Sequence, residues 1–374
     1  MPNKKFILIS PKNRTVYNFR GDLIKAIIAK GYEVLVTGPD QTDVDKIEAL
    51  GARFVEIPMN KTGTSIVGDM KYCQALTRLF RQEKPDVTLG YTVKPCIYGA
   101  IAAKRAGVKN INSMITGGGY TFISTSWKAR ILGIIVRFLY RIGLSCAHHV
   151  IFQNNDDLRE FCESGLVKRD KCFVVNGSGV NMEHFKPVPF PEKMTFLMIS
   201  RLLKSKGVGE YLDAAKIVKK VHPEVRFMLL GKYETTMQDA LPREYVQTFI
   251  DDGIVERFEE TSDVRPYYAQ CSVYVLPSYR EGTPRTVLEA MAMGRPIITT
   301  DANGCRETVQ DCVNGFLVPV KDVKKTAETM EKIIMNPLCI GAMGELSRKY
   351  CLDKYEIKKN IAEMLTIMTI SRIL

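Results

Sequence analysis

The 374-residue chain is 45% hydrophobic and 25% charged, a balance that fits two folded domains and excludes a disordered segment, a collagen-like repeat or a disulfide-stapled miniprotein. Its net charge of +12 is unevenly spread: residues 1–185 hold 26 Lys and Arg against 16 Asp and Glu, whereas residues 186–374 hold 27 against 25. The basic excess belongs to the first half, where it points to an anionic partner, either a nucleic acid or a membrane leaflet.

Lys4 and Lys5 precede only a short apolar run, Phe6 to Ile9, too brief for the core of a secretory signal and better suited to a first strand. Apolar runs at 6–10, 34–38, 53–57, 87–91, 111–115, 149–152 and 172–175 alternate with helical patterns at 21–30, 42–50, 69–83 and 100–106. This rhythm predicts a parallel sheet covered on both faces. A Pro-rich stretch at 185–191 reads as a linker. Strand patterns then return at 194–200, 226–231, 273–277, 296–299 and 315–318, with helical patterns at 209–220, 245–250 and 284–293. The expected organisation is α/β: one doubly wound domain over 1–185, a second over 186–355, and a terminal helix over 356–374 packing back on the first. Two such domains facing each other would enclose a cleft at the carboxyl ends of their strands, where open α/β sheets bind ligands.

The ten cysteines are scattered, with no C-x-x-C pair and no histidine at ligand spacing, so reduced thiols are expected. The greasiest stretch, 131–147, contains Arg137 and Arg141 and falls short of the ~20 residues that a bilayer span needs.

Chemistry concentrates in two connections of the second half. Residues 277–294 lead from a strand through Glu281, Gly282 and Thr283 into a helix opened by Pro284 and carrying Arg285 and Glu289. Backbone amides at that helix start suit an anion. The two carboxylates suit hydroxyls on either side of it, although Glu281 alone also fits a helix-terminus charge. Hydroxyls, then phosphates, then hydroxyls describe a nucleotide sugar. Residues 200–207 end another strand, and there Arg201 and Lys206 flank a tight turn running into a helix. Singly each is an ordinary surface cation; together they suit a diphosphate.

The Glu281-x7-Glu289 pair, the Arg201-x4-Lys206-Gly207 loop and the Pro-linked layout resemble glycosyltransferase family 4, retaining enzymes of the GT-B fold, over essentially the whole chain. Asn18-Phe19-Arg20, the 91–95 stretch and the 115–122 stretch resemble the branch that extends sugars on a polyprenyl-diphosphate carrier during bacterial surface-polysaccharide (O-antigen or capsule) synthesis. The resemblance implies that Arg201 and Lys206 bind the donor diphosphate and that Glu289 accepts the ribose hydroxyls. Glu281, with Gly282, Thr283, Pro284 and Arg285, would hold the transferred sugar and the nearer phosphate. The donor would be UDP linked to a hexose or N-acetylhexosamine, with uracil against the backbone of Arg257, Phe258 and Glu259, and a GDP-sugar is the alternative. Arg14, Arg20, Lys94 and the loop Thr116, Gly117, Gly118, Gly119 would serve the acceptor side. Many members carry a histidine in that loop; this chain does not, so no histidine role is carried over. Transfer would proceed by front-face displacement, the departing phosphate oxygen helping to remove the acceptor proton, with no covalent intermediate.

No cofactor and no metal are expected. Asp43-Val44-Asp45 has the D-x-D form of metal-dependent GT-A enzymes, but it stands just before a helical run and is expected to cap it. A basic amphipathic segment from Trp127 and Lys128 through Arg130, Arg137 and Arg141 fits an anionic interface. The expected location is cytoplasmic, peripheral on the inner face of the cell membrane. The rivals are a UDP-sugar 2-epimerase of the same architecture, a pyridoxal-phosphate phosphorylase for which no site is evident, and a nucleic-acid-binding protein. The last is supported by charge alone, without a recognisable module.

Overall fold

The computed structural model describes residues 4–60, 65–117, 127–235 and 237–370. The chain forms two compact units, one of Met1–Ser178 with Lys358–Leu374 and one of Gly179–Ile357.

The first unit is built on β1 (Lys5–Ile9), β2 (Glu33–Gly38), β3 (Arg53–Glu56), β4 (Val87–Tyr91), β5 (Asn110–Ile115), β6 (His149–Phe152) and β7 (Cys172–Val174). All pairings are parallel, in the order β3-β2-β1-β4-β5-β6-β7. Alternation along β1 explains why both faces must be covered. Ile7 and Ile9 pack with Leu76 and Phe80 of α3 (Ile66–Glu83), Ala102 of α4 (Ala100–Arg105) and Tyr140 of α5 (Trp127–Cys146). Phe6 and Leu8 face the other way, onto Val16 and Ile24 of α1 (Asn13–Ala29). The same face is completed by Met364 and Leu365 of α13 (Ile357–Ile367), the helix by which the tail returns to this unit. The short α2 (Val44–Glu48) and α6 (Asn155–Glu163) fill the remaining connections.

The second unit holds β8 (Thr195–Ile199), β9 (Arg226–Leu230), β10 (Glu256–Phe258), β11 (Val273–Leu276), β12 (Ile297–Thr300) and β13 (Gly315–Val318), again all parallel, in the order β10-β9-β8-β11-β12-β13. Its helices are α7 (Val208–Val221), α8 (Arg243–Asp251), α9 (Arg265–Ala269), α10 (Arg285–Ala292), α11 (Val323–Met335) and α12 (Cys339–Tyr355). In each sheet the order reverses beside the first strand, between β1 and β4 and between β8 and β11. The carboxyl ends of the strands at such a switch point are where doubly wound sheets take ligands.

Three expectations shift. Helix α1 begins at Asn13 and not near residue 21, because its first turns are held by polar burial: Asn13 and Arg20 are both buried. The units divide between Ser178 and Gly179 instead of after Phe185. Val180, Met182 and Phe185 belong to the second core, and the buried Arg295 donates to the Val188 and Pro189 carbonyls, fastening the Pro-rich stretch to that unit. The return crossing likewise falls after Ile357 and not at 355.

Candidate functional site

At the switch point of the second sheet, the β8–α7 and β11–α10 connections touch. Tyr279 N–H donates to the Ser205 carbonyl at 2.9 Å, and Ser278 Oγ lies 3.2 Å from the same oxygen. Gly207 makes this approach possible: its φ is +74°, and a Cβ there would overlap the Pro277 carbonyl. From the two connections Lys206 and Glu281 meet, Lys206 Nζ donating to Glu281 Oε1 at 2.5 Å. A third connection closes behind Glu281, whose N–H donates to the Asn303 carbonyl at 2.9 Å. At Gly304, with φ of +74°, a side chain would overlap the Glu281 and Gly282 carbonyls.

Helix α10 begins at Arg285. Pro284, expected as the first helical residue, is instead its N-cap, because its ψ of 106° keeps it extended. Arg285 Nε donates to Glu289 Oε1 at 3.1 Å, one turn along, and the Tyr268 hydroxyl lies 3.2 Å from Glu289 Oε2. Glu289 is only 9% exposed. Burial pushes its carboxyl above the ordinary range, while Arg285 and the Tyr268 hydroxyl pull it back.

Arg201 and Lys206 share one connection but engage different carboxylates. Arg201 Nη1 stands 3.6 Å from Glu234 Oε1 and 3.1 Å from the Met237 sulfur. Of the residues expected at the base, Arg257 turns onto Tyr233, its guanidinium 4.3 Å from the ring centre, and donates to the Gly231 carbonyl. It also pairs with Glu259 at 2.7 Å, and the Phe258 carbonyl accepts from Gly231 N–H. A cavity of about 420 Å³ adjoins these connections, lined by Lys204, Glu210, Leu241, Pro242, Tyr245 and Tyr279. Burial and Glu210, 2.5 Å from its hydroxyl, raise the Tyr279 phenol.

In the first unit the acceptor-side candidates stand at the carboxyl edge but separately. Arg14 lies near enough to Tyr17 and Asp43 to favour their charged forms. Arg20 is buried, stacked over Tyr91 at 5.2 Å and bonded to Ser178 Oγ at 3.2 Å. Lys94 pairs with Asp69 at 2.5 Å; burial, with Asp69 beside it, raises the Tyr98 phenol to about 12. Thr116 and Gly117 follow β5 directly, whereas Gly118 and Gly119 lie outside the described residues. Trp127, Lys128 and Arg130 begin α5, where Arg137 stands 3.9 Å from Glu160 and Arg141 is exposed. The apolar residues of this helix are not all turned inward: Ile134, Ile135, Phe138 and Ile142 are exposed beside the arginines.

Asp43 does not cap α2. It adopts a left-handed φ of 56°, which directs its carboxylate away from the helix amides to Lys46 at 2.6 Å and the Tyr17 hydroxyl at 3.1 Å. Among the described residues no group of three or more His, Cys, Asp or Glu is placed to hold a metal, and no helix is long and apolar enough to cross a membrane.

Residues 18–177 match the family described as Glycosyl transferase 4-like domain, and residues 193–336 match Glycosyl transferases group 1, so that the two matches span most of the chain. The chain is a glycosyltransferase of this family. The glycosyltransferase is 26% identical over 340 residues to the N,N'-diacetylbacillosaminyl-diphospho-undecaprenol alpha-1,3-N-acetylgalactosaminyltransferase of Campylobacter jejuni, covering 87% of this chain and 88% of the relative. It is 26% identical over 322 residues to the UDP-Gal:alpha-D-GlcNAc-diphosphoundecaprenol alpha-1,3-galactosyltransferase of Escherichia coli, covering 82% and 80% of the two chains. Among solved structures, Anabaena Alr3699/HepE in complex with UDP and glucose superposes with a TM-score of 0.79 at 16% identity, over 98% of this chain and 100% of that one. This likeness establishes the GT-B fold.

The structure adds residues that sequence reasoning passed over. Tyr268 and Glu234 touch Glu289 and Arg201 from separate connections, and nothing in their local pattern marks them. The Arg285–Glu289 pair was passed over as well, although its i,i+4 spacing is a signal that could have found it.

Proposed function

We propose that this glycosyltransferase moves a hexose or N-acetylhexosamine from a UDP-sugar to a polyprenyl-diphosphate-linked saccharide during surface-polysaccharide synthesis, with retention of anomeric configuration and without a metal or other cofactor. The observation that carries the donor half is the meeting of Lys206 and Glu281 at the switch point of the second sheet. A lysine already oriented by a carboxylate, on a turn that opens a helix, can neutralise charge on a leaving diphosphate. Arg201 supplies a second cation from the same connection, and Glu289 on α10 accepts the ribose hydroxyls. The acceptor half is supported by the Campylobacter and Escherichia relatives, both named for sugars on diphospho-undecaprenol.

Peripheral binding to an anionic leaflet completes the reading. It draws on the exposed Ile134, Ile135 and Phe138 of α5 and the exposed Ile66, Val67 and Met70 at the start of α3. From residue 87 to 155 the sequence contains no Asp or Glu but eight Lys and Arg, so the apolar side chains of α5 lie in a basic stretch of the first unit.

The test is a panel of UDP-hexoses and UDP-N-acetylhexosamines offered with a short polyprenyl-diphosphate-linked N-acetylhexosamine, with products read by mass spectrometry in the presence of EDTA. A single donor should give an acceptor heavier by one sugar. Conversion of the donor without acceptor, or activity abolished by EDTA, would overturn the reading.

A further inference from the structure

The residue facing Arg201 is an acid. Glu234 Oε1 lies 3.6 Å from Arg201 Nη1 and 3.9 Å from Lys232 Nζ, and its side chain is 15% exposed against 44% for Arg201. Its position is set by the backbone. The connection after β9 is laced to the connection after β8: Leu202 N–H donates to the Lys232 carbonyl, Lys204 N–H to the Asp239 carbonyl, and Leu241 N–H to the Leu202 carbonyl. Tyr233, next to Glu234, pairs as an isolated bridge with Leu202, next to Arg201. Neighbouring strands of the ladder thus bring an acid and a guanidinium to the same edge, and Met237 closes over the guanidinium by accepting from Nη1 at 3.1 Å.

We propose that Glu234 is a built-in competitor for the donor diphosphate, a carboxylate that holds Arg201 while the phosphate position is empty and yields it when the donor binds. The inference rests on the assignment of Arg201 to the diphosphate. Glu234 sits at ion-pair distance from Arg201 Nη1, so a phosphate reaching that nitrogen must displace the carboxylate or share the guanidinium against like-charge repulsion. Two consequences follow. Donor affinity is held below what Arg201 and Lys206 together would give. Departure of the nucleoside diphosphate is eased, because the vacated guanidinium has a partner to return to. Glu234 touches no reacting atom in this scheme and acts through Arg201 as a positioning residue.

The experiment is titration calorimetry of UDP and of uridine into the full chain and into E234Q, R201A and the E234Q/R201A double variant. A partly exposed ion pair at this distance predicts UDP binding about two- to five-fold tighter in E234Q, with uridine binding unchanged. Product inhibition by UDP should strengthen by the same factor, and in the R201A background the gain should vanish. A gain in affinity confined to the phosphorylated ligand is not a result that structural damage produces. UDP binding in E234Q equal to or weaker than in the parent, with R201A impaired, would overturn the competitor role alone. R201A binding UDP as the parent does would overturn the diphosphate assignment, and the competitor role with it.

Discussion

Lys206 reaches Glu281 across two connections, so its ammonium is held where the proposed diphosphate would leave, not free to sample solvent. Replacing it by Ala should lower turnover by about 10²-fold or more while leaving far-UV circular dichroism unchanged, since the side chain is not part of either core. Parental rates in K206A would remove the diphosphate role. Glu289 behaves differently because it is buried. Between the ordinary carboxyl value of 4.5 and its raised folded value, the native chain binds more protons than the unfolded chain, so stability falls as pH rises through that window. At neutral pH, Glu289→Gln is therefore expected to melt at a higher temperature than the parent, the difference closing as pH falls toward 4.5. The same change should weaken UDP binding about five-fold, because an amide accepts hydrogen bonds less strongly than a carboxylate. Loss of stability together with loss of binding would mean that Arg285 and Tyr268 depend on the charge more than burial opposes it.

At the scale of elements, the site is an assembly of close approaches between connections, and Gly304, like Gly207, sits at one of them with no room for a side chain. Ala at that position would combine a left-handed backbone with overlap on the Glu281 carbonyl. The expected cost is about 1–3 kcal/mol in chemical denaturation, with UDP affinity reduced because the Glu281 connection must shift. The strands and most helices were legible because parallel strands buried on both faces read as unbroken apolar runs, as in the Phe6–Ile9 and Thr195–Ile199 stretches. Other features were not legible, for local reasons. Strand β10 is three residues at a sheet edge, too short for a periodic signal. Helix α1 hides its first turns behind Asn13 and Arg20, which are buried through hydrogen bonds and stacking and not through hydrophobicity. Asp43 looked like a cap from its place in the sequence, but capping depends on backbone dihedrals, and its φ is positive. Within the site, Arg285 and Glu289 carry a local spacing signal, whereas Glu234 and Tyr268 come from distant connections and depend on sheet order.

Across the whole molecule, charge and apolar exposure coincide in the first unit. Phe138 is 63% exposed on α5, in the acid-free stretch of the sequence. If this face meets an anionic leaflet, Phe138→Glu should reduce co-sedimentation with phosphatidylglycerol vesicles by tenfold or so, from lost apolar burial and added repulsion. Turnover of a water-soluble acceptor should stay at the parental level, and unchanged vesicle binding would direct attention elsewhere. The return of α13 to the first unit has a different outcome, one concerning synthesis. Met364, Leu365 and Met368 complete a face of the sheet whose strands all lie before residue 178, while the second unit is encoded between them. As the chain emerges from the ribosome, the first sheet must wait with that apolar surface uncovered until the entire second unit has been translated. A fragment ending at residue 178 is therefore expected to aggregate or bind a hydrophobic dye, and a peptide spanning 358–374 supplied in trans should suppress both. The nascent protein thus has a long interval in which a chaperone, or the membrane itself, is the natural occupant of the place its own last helix will take.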